Sequence, residues 1–130
     1  TEGDERRAID NIMTRLRSLV EETGAGVILV SHLRRVQGDK GHENGVSVSL
    51  SHLRGSNAIA QLSDTVIALE RNQQSEDELE SRTTKLRVLK SRYTGDVGMA
   101  TSLVYNKETG RLSEFVDDEL LNNQHNSVPF

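Results

Sequence analysis

Ile9, Ile12, Met13, Leu16, Leu19 and Val20 recur at helical spacing, which predicts an amphipathic helix from Asp4 to Thr23 with Thr23-Gly24 as its stop signal. The pattern then changes. Val27-Ile28-Leu29-Val30 is an unbroken apolar run after Gly26, as expected of a strand buried on both faces. A helix followed by such a strand predicts part of a parallel α/β sheet. Arg34 to Ser49 carries three glycines, mixed charges and few apolar residues, and reads as a long loop. Ser56 to Leu62 reads as a short helix capped by Ser56, Thr65 to Leu69 as a strand, and Asn72 to Ser81 as a polar, acidic loop.

Val88 and Leu89 lead into Lys90-Ser91-Arg92-Tyr93-Thr94-Gly95-Asp96-Val97-Gly98, and an alternating run from Met99 to Tyr105 follows. The pattern predicts two strands joined by a glycine-bearing turn, with Tyr93-Thr94-Gly95-Asp96 at the bend. Asn106 to Gly110 then predicts a turn into a short last strand, Leu112 to Phe115. From Asp117 the chain is polar and has no period, so residues 117–130 are expected to form a disordered tail after a domain spanning 1–116.

Composition narrows the picture. With 130 residues, 34% hydrophobic, 3% aromatic and 28% charged, one modest domain is expected. The absence of Cys and of a signal or membrane segment predicts a cytoplasmic protein without disulfides. Net charge is -4, so any nucleic-acid contact must come from a local basic patch. The chain opens on Thr1 and enters its helix directly through Glu2-Gly3-Asp4, as a piece of something longer would.

Self-contained catalysis finds no support. No Cys nucleophile is present, and no Ser, His and acid arrangement stands out. His32, His42 and His52 are not at a metal-ligand spacing. No Gly-x-x-x-x-Gly-Lys-Ser/Thr phosphate loop occurs. Residues two apart on a strand point the same way, so Lys90 and Arg92 present two cations side by side, a geometry suited to a polyphosphate. Taken alone, the pair reads more readily as solvated surface charge.

Four segments in order change that balance: Val30 to Arg35, the basic glycine-bearing loop after it, the run Leu53-Arg54-Gly55-Ser56-Asn57-Ala58-Ile59-Ala60-Gln61-Leu62-Ser63-Asp64 continuing to Asn72, and Lys90 to Gly98. Together they resemble the C-terminal half of the RecA-like motor domain of DnaB-family hexameric replicative DNA helicases. The similarity is greatest to the bifunctional primase-helicases of short-tailed phages and their mitochondrial relatives. It covers roughly Asp4 to Gly110 and includes Asp4-Glu5-Arg6-Arg7 before Ile9-Asp10-Asn11-Ile12-Met13. The implied fold class is α/β, the C-terminal part of a RecA-like P-loop NTPase sheet: helix and strand, then mainly antiparallel strands.

The resemblance implies roles residue by residue. His32 falls where the family places a polar sensor of the γ-phosphate, and imidazole can donate to a phosphate oxygen. The residues alone favour a strand-end His bonded to nearby backbone. The loop from Arg34 to Arg54 matches the family's central-channel DNA loop, with Arg34, Arg35, Lys40 and Arg54 against Asp39 and Glu43. It has no aromatic residue, so tracking of the phosphate backbone is expected rather than base stacking. Arg92 matches the arginine finger that reaches a neighbour's nucleotide, with Lys90 as its companion cation. Arg71 and Tyr105 match the pair that sandwiches the nucleobase. Core packing of Tyr105 beside Phe115, or pairing of Arg71 with Glu70 or the acidic loop, are the plainer alternatives.

The implied ligands are ATP or dTTP with Mg²⁺, and the implied partners are single-stranded DNA and five further copies in a homo-hexamer. Phe130, terminal after Asp117-Asp118-Glu119, matches an aromatic that docks on a replicative DNA polymerase. A phage protein in the host cytoplasm is expected. In the family, the phosphate loop, the water-activating glutamate and the Mg²⁺-binding strand lie upstream of Thr1, so these residues alone are expected to hydrolyse no NTP. The sheet edge beside Val27 to Val30 would then lie open. Two other classes share part of the pattern: another RecA-like ATPase of recombinase type, and a non-enzymatic fragment that binds single-stranded DNA.

Overall fold

The computed structural model describes residues 2–32, 49–50 and 57–115. The first element is a helix, α1 (Glu2–Thr23), which buries Met13 on its apolar stripe and packs against a short helix, α2 (Ala58–Leu62). α1 stops where the sequence predicts. Gly24 takes φ +69°, and its N–H donates to the Val20 carbonyl at 2.9 Å. A residue with a Cβ would be strained in that left-handed cap. Asn57 occupies the N-cap position of α2 without a side-chain cap bond, and the expected cap, Ser56, lies outside the described residues.

Four antiparallel strands follow in the order β1 (Thr65–Arg71), β2 (Thr83–Ser91), β3 (Gly98–Tyr105) and β4 (Leu112–Glu114). β1 alternates strictly between exposed and buried positions, with Val66, Ala68 and Glu70 on the buried face. The β2–β3 connection is the expected glycine-bearing turn. Gly95 at φ +73° donates to the Ser91 carbonyl at 2.8 Å, and Gly98 enters β3 at φ +123°. The next turn is held by Asn106, whose Oδ1 accepts from the N–H groups of Glu108 (2.9 Å) and Thr109 (3.2 Å). Mixed helix and antiparallel sheet agree with the α/β class expected.

Two expectations are corrected. Val27 to Val30 forms no strand, and Ile28 is 97% and Val30 85% exposed. A run that is apolar on both faces becomes a strand only between neighbours that cover it and complete its ladder. The described residues offer none, because all four strands pair antiparallel among themselves. The second correction lies in Asn72 to Ser81, which is not wholly loop: α3 (Glu78–Arg82) ends it. Asp77 caps this helix by accepting from the N–H groups of Leu79 (2.9 Å) and Glu80 (3.4 Å). Asp77-x-x-Glu80 is a helix-start signal in plain view.

Candidate functional site

The site is built at the junction of α2, β1 and the end of β2. β1 and β2 pair in simple register from Arg71↔Thr84 to Ile67↔Val88, and then the register shifts so that Val66 faces Lys90. The extra residue, Leu89, breaks the alternation. Val88 lies on the exposed face with Ile67, whereas Lys90 lies on the buried face with Val66. Without this bulge Lys90 would point away from α2. With it, Lys90 Nζ donates to the carbonyls of Ala60 (2.6 Å) and Gln61 (3.1 Å), the orphan acceptors at the C-terminal end of α2. A cation there also complements the negative end of the helix.

Arg92 sits one residue past β2 and shares that direction. Its N–H donates to the Asp64 carbonyl at 2.9 Å. Its guanidinium donates to Asp64 Oδ1 at 2.7 Å through Nη1 and to the Gln61 carbonyl at 3.1 Å through Nη2. Asp64 has a second cationic partner. Arg17 Nη1, from α1, lies 3.0 Å from each of its carboxylate oxygens. The bond to Asp64, reinforced by the attraction of its charge, holds the Arg17 guanidinium above its ordinary pKa, with a smaller contribution from Glu21. One carboxylate therefore carries two guanidinium groups, one from the body of the domain and one from the hairpin end. Arg92 remains 39% exposed, so its outer edge is open to a ligand.

The proposed base pair lies at the other end of the sheet. Arg71, Thr84 and Leu103 are in register across β1, β2 and β3, and Tyr105 is two residues beyond Leu103 on the same face. Their strands are two spacings apart, about 10 Å. Arg71 is exposed and its side chain has no partner among the described residues, because Glu70 pairs with Arg87 (2.8 Å) instead. Tyr105 is 38% exposed. It does not pack beside Phe115, which continues the β4 ladder through its N–H to the Ser102 carbonyl (2.8 Å) and so lies on the opposite face. A cleft on that opposite face, beneath α3, is lined by Glu70, Asn72, Asp77, Lys85, Ser102 and Phe115. Arg71 borders it but Tyr105 does not.

His32 is the other sequence-derived candidate described. It follows the exposed 27–30 segment rather than a strand, and its ring makes no hydrogen bond among the described residues. Nothing joins it to Lys90 or Arg92 there. Arg34, Arg35, Lys40, Arg54 and Phe130 lie outside the described residues. No group of three or more His, Cys, Asp or Glu among the described residues could hold a metal ion, so no donor set for Mg²⁺ is present in them. No described helix is long and apolar enough to cross a membrane.

Sequence reasoning missed Asp64, Arg17 and the Gln61 carbonyl. Asp64 had one available signal, an acid between a helix end and a strand within the run most specific to the resemblance. Arg17 had none, being 47 residues away.

Comparison with known proteins supports the resemblance. The family described as DnaB-like helicase C terminal domain matches residues 1–114. A DNA helicase/primase of Enterobacteria phage T3 is 47% identical over 111 residues, which is 85% of this chain and 19% of that protein. The chain thus spans about a fifth of that relative's length.

Proposed function

The chain belongs to the DnaB-like helicase C-terminal domain family, and on that premise we propose that it is part of an NTP-driven replicative DNA helicase. In this reading the protein assembles as a homo-hexamer, moves along single-stranded DNA and unwinds duplex at the fork. The chain supplies Arg92 in trans to a nucleotide held by the neighbouring subunit, with Lys90 as its companion cation. His32 senses the γ-phosphate, Arg71 and Tyr105 flank the base, and Arg34, Arg35, Lys40 and Arg54 follow the DNA backbone. Residues 117–130 form a tail beyond the motor domain, with Phe130 as an anchor for a DNA polymerase.

The observation that carries the reading is the bulge at Leu89, which turns Lys90 and Arg92 toward the end of α2 while leaving the Arg92 guanidinium partly open. A guanidinium offered at an edge is a fork of donors for a phosphoryl oxygen, and it stabilises charge as that group is transferred. Lys90 is committed to the α2 carbonyls, so it sets the platform from which Arg92 projects. Binding of ATP or dTTP as substrate is consistent with these cations and with the open face between Arg71 and Tyr105. The described residues contain no donor set for Mg²⁺.

The test uses rings made by mixing full-length Arg92→Ala subunits with full-length subunits inactivated in the phosphate loop, each inert by itself. A residue acting in trans restores turnover wherever an intact Arg92 faces an intact phosphate loop across a subunit boundary. Mixed rings that stay as inert as either parent would exclude the trans role. The recombinase-type alternative is separated by strand unwinding on a forked duplex, which it does not predict.

A further inference from the structure

We propose that Asp64 is a positioning residue that holds the Arg92 finger on its own subunit between encounters with a neighbour's nucleotide, and that Arg17 makes its release possible. The inference builds on the trans role of Arg92 and adds what governs that residue. Asp64 binds Arg92 through one oxygen, Oδ1 at 2.7 Å, whereas Arg17 approaches both oxygens at 3.0 Å. Asp64 Oδ1 is therefore the atom that the two guanidinium groups share.

Removing Arg92 from Asp64 would ordinarily strand a carboxylate that is 31% exposed, at a cost in unpaired charge. Arg17 removes that obstacle, because it stays on the carboxylate after the finger departs. The Arg92 main chain is anchored separately, through its N–H to the Asp64 carbonyl. Release thus requires only side-chain rotation, with the Gln61 contact at 3.1 Å as the other bond broken. The neighbour's phosphate then replaces one oxyanion partner with another. The two arginines act on the finger in opposite senses through one group. Asp64 retains Arg92, and Arg17 weakens that retention by sharing the carboxylate.

The opposed signs make the test. NTP turnover without DNA is measured in full-length, ring-assembled Asp64→Asn, Arg17→Gln, Arg92→Ala and the Asp64→Asn/Arg92→Lys double variant. Asp64→Asn should raise DNA-free turnover by roughly twofold to fivefold, the factor that a partly exposed ion pair supplies. Arg17→Gln should lower it by a similar factor, since Asp64 then serves Arg92 alone. The double variant should turn over no faster than Arg92→Lys alone. A purely structural Arg17–Asp64 bridge would move both single variants downward together, and that result, or no change in either, would overturn the proposal while Arg92→Ala still abolishes turnover. Where Asp64→Asn does not assemble, unchanged or raised turnover in Arg17→Gln still refutes the proposal. Normal turnover in Arg92→Ala would instead remove the finger itself.

Discussion

Lys90 and Arg92 donate to the same backbone oxygen, the carbonyl of Gln61, each at 3.1 Å. Two cations of like sign converge there because the C-terminal end of a helix concentrates unpaired carbonyls and partial negative charge. Asp64 lies just past the same helix end and completes the acceptor set. The hairpin end is thus fixed to the body of the domain through α2, and the two residues have distinct tasks within one cluster.

Arg92→Lys tests the distinction at Arg92. Lysine keeps the charge but loses the planar fork that engages a carboxylate, a carbonyl and a phosphate together. In the full-length ring, turnover should fall on the order of a thousandfold, the scale on which arginine fingers act. Nucleotide affinity, read by equilibrium titration, should stay near wild type. Near-normal turnover would reject the finger role.

Lys90→Met tests the platform. The substitution keeps most of the stem and leaves the carbonyls of Ala60 and Gln61 without their donor. The expected loss is about 1–2 kcal/mol, the cost of a charge-assisted bond whose acceptors water can partly reclaim. Denaturant unfolding measures it. If Lys90 instead served only the phosphate, stability would be unchanged and turnover alone would fall.

How far such features were legible depends on the range of the forces that set them. The β2–β3 hairpin was legible because period-two alternation and a turn needing positive φ at Gly95 are local signals. α1 and its stop at Gly24 were local too. Val27 to Val30 was misjudged because the pattern describes a strand's neighbours, and neighbours are a tertiary fact. The Leu89 bulge was invisible for a related reason. Strict alternation places Lys90 on the Val88 face, and only the pairing with β1 reveals that it lies on the other. The Arg17–Asp64 contact, between separate elements, lay beyond any spacing rule.

Arg71→Ala and Tyr105→Ala should act on nucleotide selection rather than on chemistry. Both side chains lie on one open sheet face, and neither touches the Lys90–Arg92 cluster. Each variant should raise KM by roughly tenfold, the order of a lost stacking or cation–π contact in a desolvated site. The preference between ATP and dTTP should narrow, with kcat little changed. A fall in kcat at constant KM would place these residues outside the base site.

Gly98→Ala separates backbone geometry from packing. A Cβ at this position would meet nothing within 4 Å, so no clash opposes the substitution. The φ of +123° does, because it lies where a side chain is strained against its own backbone. The expected destabilisation is about 1–3 kcal/mol, the usual cost of such a conformation for a non-glycine residue. Relief of that strain would rotate the entry to β3 and displace the turn that carries Arg92. Unfolding should therefore shift to lower denaturant, and turnover in the ring should fall although no ligand contact is altered. Gly24→Ala supplies the contrast, with φ +69° and equally open space but a position at the end of α1. It should lower stability by about 1 kcal/mol while leaving turnover close to wild type. Equal losses of turnover in the two variants would mean that global stability, rather than the aim of the hairpin, limits the reaction.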